Sequence, residues 1–186
     1  MTALRILAEA AWPDPEADGP EQLPPLPGFS ASSFNPLVAE TAERCLRARH
    51  GTAPAPGRTA LLLASASGDL ATARAIEEAA ADTARRMPPL LFFQSNPNAV
   101  LGHIAARWGL TGPVVAICPR QPPPPGRVPQ DALDLAELLL ADGDADQVLV
   151  IAAEQADDGA DDDAHDRGTD RTDRPDRAVA LLVTTA

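Results

Sequence analysis

Apolar residues occur in this chain in two patterns, short unbroken runs and longer stretches with a helical repeat. The unbroken runs are Thr2–Trp12, Thr59–Ser65, Leu90–Gln94, Val114–Cys118, Gln147–Ala153 and Ala178–Thr184. They read as strands, most of them apolar on both sides, as in a sheet covered on both faces. Asn35 followed by Pro36 reads as an N-cap with proline in the first turn. It opens a helix to about Arg49 with Leu37, Val38, Thr41, Ala42, Cys45 and Leu46 on one face. Asp69 caps a second helix, Leu70 to Met87, whose small face is Ala73, Ile76, Ala80 and Ala84, and Pro88-Pro89 ends it. A third helix runs from Pro97 to Arg107 and closes on Gly109. The last, Gln130 to Ala141, is apolar on most sides, which predicts a place between layers, and Gly143 stops it. The alternation predicts one α/β domain over residues 1–186. Its sheet is mostly parallel, of about five strands, with helices on both faces.

Three segments break the pattern. Pro13–Pro27 is a loop rich in Pro, Asp, Glu and Gly, and residues 119–129 form a Pro-rich loop. Residues 155–177 are dense in Asp, with Gly and Arg and no apolar periodicity, which predicts a disordered acidic insertion. Strands on both sides make it an insertion, because the chain returns to the sheet.

At 186 residues and 45% hydrophobic, the chain can bury one sizeable core. Its net charge of −12 opposes nucleic acid and anionic membranes as partners. An acidic carrier protein would also be repelled unless an Arg patch met it. No apolar run approaches the roughly 18 residues of a membrane helix. The N-terminus lacks a basic region followed by an apolar core, so the predicted location is the cytoplasm. Cys45 and Cys118 are far apart, without metal-ligand spacing, and are expected to be reduced. The acidic tract lacks the loop spacing of a calcium site. No metal and no cofactor is expected.

Two blocks carry a family resemblance. The first runs from Asn98 through Gly102, His103, Trp108 and Gly112-Pro113 into Val114-Val115-Ala116-Ile117-Cys118. It resembles the approach to the active site in β-ketoacyl synthases of the thiolase fold. The second, Asp131 to Val150, resembles the helix that follows the nucleophile in that family. Gly143 to Asp146 stands for its Gly-x-Ala-Asp turn, and Ala153-Glu154 ends the next strand. The resemblance covers about residues 35–186, weakly before Leu90. It implies a thiolase-like half, since the family fold is a pseudo-duplicate of two α/β halves and this sequence matches the first.

The same resemblance implies a missing nucleophile. Counting forward from Gly112-Pro113, the family's Cys falls near Gln121; counting back from Gly143-Asp144, it falls near Gly126. No Cys lies between them. Cys118 comes earlier, on the strand, and the Pro run separates it from the helix that would acidify it. It reads as a packed thiol or as a weak candidate nucleophile. Chain-length-factor subunits, the inactive partners of ketosynthases, resemble ketosynthases with Gln in place of that Cys. Gln121 either matches that substitution or is a polar loop residue. The family's two catalytic His belong to its second half; His50, His103 and His165 are scattered.

The implied function is a non-catalytic, ketosynthase-like accessory subunit of a polyketide or fatty-acid synthase system. It would work as a homodimer, or as a heterodimer with a ketosynthase, with an acyl carrier protein as a further partner. The implied interface is Asn98, His103, Trp108, Val114, Val115, Ala116, Ile117 and Cys118. The alternative is an acyltransferase using Cys118 or residues borrowed from a partner. Ser65-Ala66-Ser67-Gly68-Asp69 could receive a phosphate at a helix N-terminus, but it lacks a phosphate-loop pattern and reads as a packing turn. Phe92-Phe93 and Trp108 read as core or interface aromatics.

Overall fold

The computed structural model describes residues 3–14, 16, 22–81, 88–120, 123–156 and 176–186. The strands are β1 (Leu4–Trp12), β2 (Thr59–Ala64), β3 (Val114–Ile117), β4 (Gln147–Glu154) and β5 (Arg177–Thr185). The helices are α1 (Phe34–His50), α2 (Leu70–Ala81), α3 (Pro89–Gln94), α4 (Pro97–Trp108) and α5 (Gln130–Ala141). They build one sheet in the order β1-β5-β4-β2-β3. β2 is parallel to β3 and to β4, while β5 is antiparallel to both β4 and β1. Four strands therefore share one direction and β5 alone opposes them, in line with the mostly parallel expectation. Among the described residues, β3 is an edge strand.

Side-chain alternation sorts the strand residues between two cores. Leu61, Leu63, Leu149, Ile151, Ala180 and Leu182 meet α1 and α4. Ala60, Leu62, Val148, Val150 and Val183 meet α5 on the other face. Every residue of β2 and β4 is buried, which is why both read as unbroken apolar runs. The predicted face of α1, from Leu37 to Leu46, is fully buried. Gly112 lets β3 come close to β2: a Cβ there would lie 2.5 Å from the Thr59 carbonyl oxygen. Gly109, at φ +66°, closes α4 in the left-handed conformation that glycine adopts without strain.

Three expectations need correction. Leu90–Gln94 is not a strand but part of the short helix α3. Pro89 fills its first turn, where a missing N–H costs nothing, and Leu90, Phe92 and Phe93 are exposed. Asn35 is not the cap of α1, which begins one residue earlier; its amide donates instead to Asp69 and to the Gln94 carbonyl. On α2, Ala73 and Ala80 are exposed and Thr72 is buried, while 82–87 lie outside the described residues. α5 packs one side on the sheet and leaves Leu138 54% exposed, so in this chain it is an outer layer. The acidic stretch 157–175 lies outside the described residues, and its two flanks pair as Glu154 with Arg177.

Candidate functional site

β2, β3 and β4 all end on the same edge of the sheet, the side on which open α/β sheets form their ligand crevices. A cavity of about 300 Å³ opens there. Leu63 and Ala116 form its base, Phe34 and Pro97 its sides, and Ser65, Asp69, Asn35, Gln94 and Cys118 supply polar atoms.

Asn35, Ser65, Asp69 and Gln94 are each held by hydrogen bonds. Asp69 caps α2 as predicted, accepting from the Thr72 amide at 3.0 Å and the Thr72 hydroxyl at 2.8 Å. Its Oδ2 also accepts from Asn35 Nδ2 at 3.1 Å, tying α1 to α2. Gln94 is buried; its Nε2 donates to the Gly28 carbonyl at 2.7 Å and its Oε1 accepts from the Ala31 amide at 3.2 Å. The Ser65–Gly68 turn is closed from the inside. Glu154, at the end of β4, accepts from the Ala66 and Ser67 amides, each at 2.8 Å. An internal carboxylate thus fills the place a phosphate could have taken. Sequence reasoning marked that turn but missed Glu154 as its partner. The pair is far apart in sequence, and only the parallel pairing of β2 with β4 unites it.

Cys118 follows the last residue of β3, and its thiol is exposed at the cavity, not packed as one reading of the sequence expects, because β3 ends one residue before it. Its thiol donates weakly to the Pro119 carbonyl, at 3.9 Å. α5 begins only at Gln130, after the Pro-rich loop, so no helix starts at the thiol. Among the described residues, no histidine lines the cavity. His50 hydrogen-bonds Gln147 at the opposite end of β4, and burial, with Arg49 nearby, holds its pKa below the usual value. His103 sits edge-on to Phe29, with ring centres 6.2 Å apart. Gln121 and His165 lie outside the described residues. Cys45 is buried against the sheet, and burial pushes its thiol up to about 12.

Most of the residues proposed as an interface lie at one border of the molecule. Val114 is exposed, Val115, Ala116 and Ile117 are half-buried on edge strand β3, and Asn98 is exposed on α4. Trp108 is the exception. It is 2% exposed and belongs to the core, where its indole N–H donates to Glu43 at 2.7 Å. Glu43 also accepts from Arg107 at 2.9 and 3.1 Å and from Arg47 at 2.6 Å. The Arg107 bonds lead in lowering the Glu43 pKa to about 2, joined by Arg47 and Trp108 against the opposing effect of burial.

No helix among the described residues is long and apolar enough to cross a membrane. No family model and no curated protein matches the chain. Solved structures do. A ketosynthase in complex with its chain length factor, from Xenorhabdus doucetiae, superposes with a TM-score of 0.67 at 20% identity, over 100% of this chain and 80% of that one. The ishigamide ketosynthase/chain length factor gives 0.65 at 20% identity, over 93% of this chain and 49% of that one. A type II polyketide synthase acyl-carrier protein in complex with its ketosynthase gives 0.65 at 12% identity, over 100% and 63%. The chain thus spans less than two thirds of the second and third. In architecture, the chain shares the thiolase-like fold of ketosynthase and chain-length-factor proteins.

Proposed function

We propose that this chain is a non-catalytic, ketosynthase-like accessory subunit that acts by assembly in polyketide or fatty-acid synthesis. The observation that carries this reading is the isolation of Cys118. A cysteine nucleophile needs a helix N-terminus, a cation or an imidazole to stabilise its thiolate. Cys118 has the Pro-rich loop where that helix would start, and no histidine shares its cavity among the described residues. The second reading, an acyltransferase using Cys118 or residues lent by a partner, draws on the exposure of that thiol at a cavity.

The partner in this reading is a second copy or a ketosynthase-type subunit, with an acyl carrier protein as a further one. Its docking border is the free edge of β3 with the adjoining α4. Two of the similar solved structures are a ketosynthase with its chain length factor and a ketosynthase with a carrier protein. Val114 on this border is 39% exposed, and Phe92, on the neighbouring α3, is 73% exposed. The cytoplasm is the compartment in this reading, and both cysteines are free.

Light scattering on the purified chain, alone and co-expressed with a ketosynthase, tests the assembly. The wild type is expected to form a dimer or a stable complex. Val114→Lys places a charge on the strand edge and should release monomer without changing the melting temperature. A wild-type chain that stays monomeric and does not co-elute with the ketosynthase contradicts the proposal.

A further inference from the structure

A second cavity, of about 430 Å³, opens at the same end of the sheet on the side of the Pro-rich loop. Its floor is Ala11 of β1, Val179 of β5 and Ala152 of β4, which are direct neighbours in the strand register. The two alanines leave space that a larger side chain would fill. Its wall is Pro123–Pro125, whose rings present no N–H and hold φ fixed, so the wall is apolar and pre-formed.

Three charged residues border this space: Arg127, Arg177 and Glu154. Both carboxylate oxygens of Glu154 are already engaged by the Ala66 and Ser67 amides. Neither arginine forms an ion pair with a described residue. Among the described residues, the border therefore carries two guanidinium groups with no acidic partner against one committed carboxylate, in a chain whose formal charge is −12. A guanidinium presents a planar fork of N–H donors that matches a carboxylate. The volume lies within the range of small-molecule sites, which are mostly apolar with a few polar groups that fix orientation.

We infer that this cavity binds a small amphipathic carboxylate, its hydrocarbon body between the proline wall and the alanine floor and its anionic head at Arg127 and Arg177. The inference rests on neither Cys118 nor any partner chain, so it stands or falls apart from the proposed function.

Isothermal titration of the full chain with decanoate, and with decanol as the uncharged equivalent, tests it. Decanoate is expected to bind saturably, and decanol roughly tenfold more weakly or worse, as loss of charge-assisted hydrogen bonds predicts. Arg127→Gln, on an exposed loop, should weaken decanoate about tenfold at an unchanged melting temperature. Arg177→Gln should do the same, with circular dichroism to confirm the fold. If Arg177→Gln fails to fold, the Arg127 variant alone decides. Absence of saturable decanoate binding, equal affinity for decanol, or unaltered affinity in a folded Arg127→Gln protein would each overturn the inference.

Discussion

Glu43→Gln removes one negative charge and little else. The side-chain oxygen that accepts the Trp108 N–H can remain, while the ion pairs to Arg107 and Arg47 are lost. A pKa lowered from 4.5 to about 2 sets the scale. At 1.36 kcal/mol for each tenfold change, the charged form is favoured by at most about 3 kcal/mol on folding. The arginine side chains are 57% and 63% exposed while Glu43 is 17% exposed. Water screens such half-open pairs, and about 1–2 kcal/mol is the expected loss near neutral pH. Because the folded pKa is depressed, the contribution is complete above the unfolded value and fades as pH falls from about 4.5 toward about 2. Urea unfolding of wild type and variant, at neutral pH and through that acid window, measures the gap. A variant as stable as wild type at neutral pH refutes the reasoning. So does a gap that stays constant through the acid window.

Three further outcomes follow from the packing. Gly112→Ala should lower the melting temperature, with a cost of about 2–3 kcal/mol or more, because its Cβ would meet β2 backbone atoms at 2.5–2.6 Å. Gly102→Ala, with open space at its Cβ inside α4, should be neutral or stabilising by up to about 1 kcal/mol; equal effects at the two glycines would contradict this. A thiol-specific chromophore should label Cys118 in the native protein and Cys45 only after unfolding. Rapid native labelling of both would contradict the burial that raises Cys45 to about 12.

The sequence pattern revealed the fold where burial was continuous. β2 and β4 are buried along their whole length, and α1 buries the face its periodicity marked, so local pattern and tertiary environment agree. α3 was misread because Leu90-Leu91-Phe92-Phe93 is too short for periodicity to separate strand from helix. Its apolar residues are exposed rather than buried, and Pro89 in the first turn was the signal that favoured a helix. Asn35 looked like a cap because Pro36 follows it, but Asp69 and the Gln94 carbonyl claim its amide from across the fold. Trp108 reads as a core or an interface aromatic; it is core, with its N–H donating to the half-buried Glu43 on α1. Of the site, Cys118 and its separation from α5 were legible from spacing. The cavity around it, the Glu154 bond to the Ser65–Gly68 turn and the cavity at the proline wall depend on strand order, which no local pattern encodes.

The proposed function requires a ketosynthase-like scaffold without a working nucleophile. Intact-mass spectrometry after incubation with an acyl thioester at neutral pH tests it most directly. The account predicts an unmodified chain under conditions in which an authentic ketosynthase is fully acylated. A stoichiometric acyl adduct mapped to Cys118, absent in Cys118→Ala, would contradict it.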